Sequence, residues 1–112
     1  MATIYISHRS GDRDQAKQLS EELTKFGHRV IYRAVAESPG LDWRLVSHKA
    51  MIAADIFVVL ISERALKSHR VMGEIGAARM LYFESEHLLL FPVLLGNQQI
   101  PDVVSDLYVF RA

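Results

Sequence analysis

The chain has 112 residues, half of them hydrophobic and 23% charged, which suits one globular domain with a single core and speaks against a disordered chain. Thirteen basic residues cancel thirteen acidic ones, so no net field gathers nucleic acid or an anionic membrane surface. The lack of cysteine excludes disulfides and thiolate chemistry and fits the reducing cytoplasm, and the apolar runs fall well short of the ~20 residues of a membrane helix.

In chain order, "TIYIS" (3–7) is short, β-branched and aromatic and reads as a strand. "GDRDQAKQLSEELTKFG" (11–27) reads as a helix. Asp12 or Asp14 stands at its start, Ala16, Leu19, Leu23 and Phe26 recur at helical spacing, and Gly27 ends it. "HRVIY" (28–32) is a second strand. "RAVAESPGLD" (33–42) is a loop in which Pro39-Gly40 favours a type II turn. "DWRLVSHKAMIAA" (42–54) is a second helix with Leu45, Ala50, Ile52 and Ala53 among its apolar positions. "DIFVVLIS" (55–62) is apolar almost throughout, the mark of a strand buried on both faces. "ERALKSHRVMGEIGAARMLYFES" (63–85) is a long or broken helical stretch. "LLLFPVLLG" (88–96) is another buried strand, with Pro92 expected at a bulge or strand end. "IPDVVSDL" (100–107) holds one helical turn, and "YVF" (108–110) is a last strand.

This alternation predicts an α/β fold with a mainly parallel sheet and right-handed crossovers. Ligands in such folds sit beyond the carboxyl ends of the strands, where the strand order reverses. A helix covering the last strand is expected and missing, which points to a piece of a longer chain.

Several sites can be excluded. No GxGxxG follows the first strand, and there is no GxxxxGK[ST] and no GxSxG elbow. His8, His28, His48, His69 and His87 never pair at i, i+3 or i, i+4, so no metal site is expected. A phospho-receiver domain shares the element order but needs acids after the first strand and an aspartate ending the third. Here those ends read "SHRS" and "ISE".

The remaining strand-end residues are polar or basic: Ser7, His8, Arg9 and Ser10 after the first strand, Arg33 after the second, Ser62 and Glu63 after the third. Each alone reads as a solvated loop residue; together they are suited to an anion. Glu74 adds a carboxylate at the edge of an apolar stripe of Val71, Ile75, Ala78 and Tyr82. Gly73 and Gly76 bracket it, each costing about 0.5–1 kcal/mol against alanine in a helix interior. They are expected to leave room beside the acid for a ligand or a second backbone. The plain alternative is a surface glutamate in a closely packed helix.

Taken together, these segments resemble the bacterial Toll/interleukin-1 receptor (TIR) domain. "IYISHRSGDRDQAKQLSEEL" is similar to the family's first strand, turn and first helix, and "FGHRVIY" to its second strand. "ESPGLDWRLVSHKAMIAADIFVVLIS" resembles its Pro-Gly-x-x-Trp segment, second helix and third strand. "SERALKSHRVMGEIGAA" resembles its SxxxLxSxWVxxExxxA box, with Arg70 replacing the tryptophan, and "FPVLL" its fourth strand.

The resemblance implies a single TIR domain over residues 1–112. The expected fold is flavodoxin-like, a central five-stranded parallel sheet with helices on both faces and the final helix missing. It also implies the N-terminal part of a larger bacterial protein with a fused sensor domain. Family enzymes cleave the nicotinamide–ribose bond of NAD, which is a substrate and not a cofactor. By position their essential glutamate corresponds to Glu74. Ser7, His8, Arg9, Arg33 and Trp43 correspond to substrate-binding positions, with core packing the alternative for Trp43. Glu37, Ser38, Pro39 and Gly40 fall in the loop through which copies associate into homo-oligomers or filaments. The implied function is a cytoplasmic NAD glycohydrolase or cyclase, activated by self-assembly in antiphage defence. The alternative is a non-catalytic scaffold for signalling assemblies.

Overall fold

The β-branched and aromatic segments pair into one parallel sheet. Its strands are β1 (Thr3–Ser7), β2 (Arg29–Ile31), β3 (Ile56–Ile61), β4 (Leu89–Leu94) and β5 (Phe110–Arg111). The computed structural model describes residues 1–32, 49–85, 88–96, 99–104, 106–107 and 109–111. The strand order is β2-β1-β3-β4-β5, the five-stranded parallel arrangement expected from the alternating pattern. β1 pairs with β2 on one side and β3 on the other, so the order reverses between β1 and β3. The carboxyl ends of these two strands therefore border the crevice where α/β folds bind ligands.

Helix α1 (Arg13–Lys25) follows a single 3-10 turn at Ser10–Asp12. Asp12 stands at the cap position, but its carboxylate makes no cap bond. It accepts instead from Ser62 Oγ across the sheet edge at 2.6 Å. The helix ends at Gly27, whose φ of 88° a side chain would resist. Phe26, expected on the apolar stripe, lies past the last turn and is exposed. Helix α2 is described over residues 49–53. It buries Met51, and Ala54 just beyond it is buried too, while Ile52 and Ala53 face outward. The third helical stretch is broken, one of the two forms its sequence leaves open. A 3-10 turn at Ala65–Lys67 gives way at Ser68, and α3 then runs from His69 to Ser85.

Two cores result from side-chain alternation along β1 and β3. Ile4, Ile6, Val58 and Leu60 point toward α1 and meet Ala16. Tyr5, Phe57, Val59 and Ile61 point to the opposite face, where Val71, Ile75 and Ala78 of α3 cover them. Pro92 is neither at a bulge nor at a strand end. It is buried inside β4, opposite Val59. The β4–β5 ladder covers only Val93 and Leu94, so at Pro92 the strand borders no β5 residue and a missing N–H is tolerated. Tyr82, assigned to the apolar stripe, is 41% exposed. On the outer side of α3, Arg79 donates to both oxygens of Asp106, at 3.1 and 2.8 Å. That hydrogen bonding holds the Asp106 carboxyl below its ordinary range and raises the Arg79 guanidinium.

Candidate functional site

Period-two alternation puts Tyr5 and Ser7 on the same face of β1, the face that α3 covers. In the second turn of α3, Glu74 meets both. The Tyr5 hydroxyl donates to Glu74 Oε2. The Ser7 hydroxyl donates to Oε1 at 2.6 Å. All three side chains are nearly sealed, at 1%, 0% and 1% exposure for Tyr5, Ser7 and Glu74. Burying a carboxylate is costly unless donors replace its water, and here a hydroxyl reaches each oxygen. A carboxylate offers about four lone-pair sites, so two hydroxyls do not by themselves saturate it. Tyr5 is itself fixed by stacking on Phe57, with centroids 5.8 Å apart and rings 8° from parallel.

Glu74 is thus in the middle of the buried face of α3, with Val71, Ile75 and Ala78, rather than at its rim. The two glycines do not open space beside it. Gly73 and Gly76 are exposed, and a methyl group built on Gly76 meets nothing within 4 Å. At 100° per residue, positions one before and two after Glu74 point away from the face it occupies.

Beyond Ser7 the chain leaves the sheet. His8 is 5% exposed. Its Nδ1 lies 2.8 Å from the Arg9 carbonyl oxygen and its Nε2 3.0 Å from that of Tyr32. A neutral ring can donate to only one of them at a time. The ring leans on Tyr32, centroids 6.2 Å apart. Arg9 turns its guanidinium back over Gly11, where any β-carbon would collide with it. Arg9 Nε lies 3.8 Å from Asp12 Oδ2, beyond hydrogen-bonding reach. With Arg64, Lys67 and Ser68, Arg9 lines a pocket of about 440 Å³ at the ends of β1 and β3. The Ser68 hydroxyl accepts from the Val71 N–H at 3.3 Å, so it caps the start of α3.

The structure therefore brings Ser7 into contact with Glu74 and places His8 and Arg9 at the adjoining edge. Arg33, Glu37, Ser38, Pro39, Gly40 and Trp43 lie outside the described residues, as does the side chain of Arg70. Sequence reasoning did not single out Tyr5, Arg64, Lys67 or Ser68. Tyr5 carried a usable signal, a hydroxyl two residues before Ser7 on an otherwise apolar strand face. Among the described residues no three His, Asp or Glu side chains gather as a metal site, and no helix is long and apolar enough to cross a membrane.

Known proteins agree on the architecture. A crystal structure of the TIR domain of the Toll-related receptor TRR-2 from Hydra magnipapillata superposes with a TM-score of 0.76 at 15% identity, over 99% of this chain and 84% of that one. A prokaryotic SEFIR domain superposes with a TM-score of 0.64 at 20% identity, over 94% of this chain and 77% of that one. No curated protein matches the sequence. The family profile described as the TIR domain matches residues 4–111, from the first strand to the last. By that match and by its strand order, the chain belongs to the TIR domain family.

Proposed function

We propose that this domain cleaves the nicotinamide–ribose bond of NAD, with Glu74 as the catalytic carboxylate. The observation that carries the reading is an acid held by two hydroxyls, from Tyr5 and Ser7, at the crevice end of the sheet. Nicotinamide in NAD is a cationic leaving group. The C1′–N bond breaks with its electron pair passing to the pyridine nitrogen, and no acid has to protonate it. The ribose gains oxocarbenium character, which a nearby carboxylate stabilises electrostatically or through the ribose hydroxyls. Water then forms the new C1′–O bond and releases a proton, giving ADP-ribose. Attack by an adenine nitrogen of the same molecule gives a cyclic isomer. Ser7 positions the acid, His8 offers a ring face and Arg9 a phosphate contact; Arg33 and Trp43 complete the assignment by family position.

TIR domains associate with other TIR domains. On this reading copies of the chain assemble in the cytoplasm as a homo-oligomer or filament through the segment with Glu37, Ser38, Pro39 and Gly40. A fused sensor domain triggers assembly, and NAD is depleted in antiphage defence. One observation favours the second reading, a non-catalytic scaffold. At 1% exposure, the Glu74 cluster serves equally to anchor α3 to β1. The test is nicotinamide release from NAD by the purified chain, dispersed and then clustered on beads. Release that appears on clustering supports the enzyme. No release in either state supports the scaffold.

A further inference from the structure

Ser7 is the last residue of β1, so whatever fixes the chain immediately beyond it also fixes the donor to Glu74 Oε1. The next residue is His8, which is 5% exposed and meets a carbonyl oxygen at each ring nitrogen. Its Nε2 reaches across to the carbonyl of Tyr32, one residue past β2, at 3.0 Å. The registered pairs of β1 and β2 stop at Tyr5–Ile31, so this contact joins the two strand ends beyond their ladder. Its Nδ1 lies 2.8 Å from the Arg9 carbonyl, which also accepts the Asp12 N–H at 2.9 Å where the chain turns into α1. A carbonyl oxygen has two lone pairs and can take both donors. The Tyr32 ring packs beside the imidazole, tilted by 43°. A buried carbonyl is costly to leave without a donor, so a ring set between two of them is held firmly in place.

We infer that His8 is a positioning residue, which acts through Ser7 on the Glu74 carboxylate. For its bearing on the reaction this rests on the reading of Glu74 above. The ring nitrogens pin the end of β1 to the end of β2, and the pinned backbone aims the Ser7 hydroxyl at Oε1. A serine hydroxyl has three staggered wells, so its aim depends on where the backbone holds it. Tyr5 needs no such help, because its stack on Phe57 fixes it within the core. The two donors to the acid are thus secured in different ways, Tyr5 by packing and Ser7 by a clasp at the strand's end. The clasp goes beyond the ring face assigned to His8 above, since at 5% exposure little of that face is open.

The experiment separates the nitrogens from the face. Phenylalanine keeps a ring against Tyr32 and lacks both nitrogens. His8→Phe should lower kcat for nicotinamide release by clustered protein about tenfold with KM unchanged, within the roughly 10²-fold that misplacing a reacting group costs. The amide of glutamine reaches the place of Nε2, and that of asparagine the place of Nδ1. His8→Gln should therefore recover most of the lost kcat and His8→Asn should not, because only glutamine rebuilds the bond to Tyr32. Melting curves show that each variant folds. A raised KM with kcat intact in His8→Phe, or equal recovery by the two amides, would overturn the proposal. A second measurement does not depend on turnover. The urea midpoint of His8→Phe combined with Glu74→Gln should shift by less than the two single shifts together, because each variant breaks the same chain of contacts. Additive shifts would overturn the proposal as well. Failure of the enzyme reading is distinguishable, since it appears as release that is absent from the parent or survives Glu74→Gln, and the midpoints then decide the role of His8 alone.

Discussion

The two faces of the central sheet are built from alternate residues of the same strands, yet they differ in kind. Toward α1, Ile4, Ile6, Val58 and Leu60 close on Ala16 in an apolar cluster, with the Ser62–Asp12 hydrogen bond at the sheet edge. Toward α3, the same strands carry Tyr5 and Ser7 among apolar neighbours, and the helix answers with Glu74. The first face is a core whose composition follows from burial. The second contains an acid and two hydroxyls that leucine-like residues would replace with a gain in stability, or at little cost to it. A protein that keeps such a group in its interior usually does so for function, and the departure from the simplest packing marks the site.

That contrast can be broken first at Ile6, which is fully buried. Ile6→Ala should cost about 2–5 kcal/mol, read as a lower midpoint in urea unfolding, while nicotinamide release per folded molecule stays unchanged. A loss of turnover beyond the loss of folded protein would mean that the α1 face also serves the chemistry. Tyr5→Phe sharpens the other side, because it removes one oxygen and keeps the stack on Phe57. It should cost about 1–3 kcal/mol by leaving Glu74 Oε2 without that donor. It should also lower kcat with KM unchanged, because the hydroxyl positions the acid and touches no substrate. An unchanged kcat would reduce Tyr5 to a packing residue.

The alternation of elements and the buried run of β3 were legible in the residues, because hydrophobic period is a local signal, while the break before α3 was one of two readings left open. The partnership of Tyr5 with Glu74 was not, since it joins residues 69 apart in sequence and depends on which face of β1 the helix crosses. Gly73 and Gly76 open no room beside the acid, for a local reason. Positions 73 and 76 are close to Glu74 along the chain but face away from it around the helix. Gly76→Ala tests that correction. With open space around its β-carbon, it should stabilise the protein by about 0.5–1 kcal/mol, seen as a raised melting temperature, and leave nicotinamide release alone. Phe26, Ile52 and Tyr82 matched helical spacing yet are exposed, because periodicity groups residues on a face but does not say which of them the sheet covers.

The smallest effect belongs to Asp106, whose carboxyl is lowered by the Arg79 hydrogen bonds on the exposed side of α3. A carboxyl lowered in the folded state adds stability above its unfolded value and loses it as pH falls through the folded one. The melting temperature of Asp106→Asn should therefore lie slightly below that of the parent at pH 7. The gap should close on acidification below the carboxylate range and shrink with added salt. A gap that persists in acid would mean that the contact is not ionic.

The central claim is that the Glu74 carboxylate stabilises the ribose cation as nicotinamide departs. Its most direct test is nicotinamide release by clustered Glu74→Gln beside the parent, with melting curves for both. The account predicts a matching fold and turnover lower by about 10²–10³-fold or more, the scale on which a single stabilising group acts on a transition state. Equal turnover in the two proteins would contradict it and leave the cluster as a strut between β1 and α3.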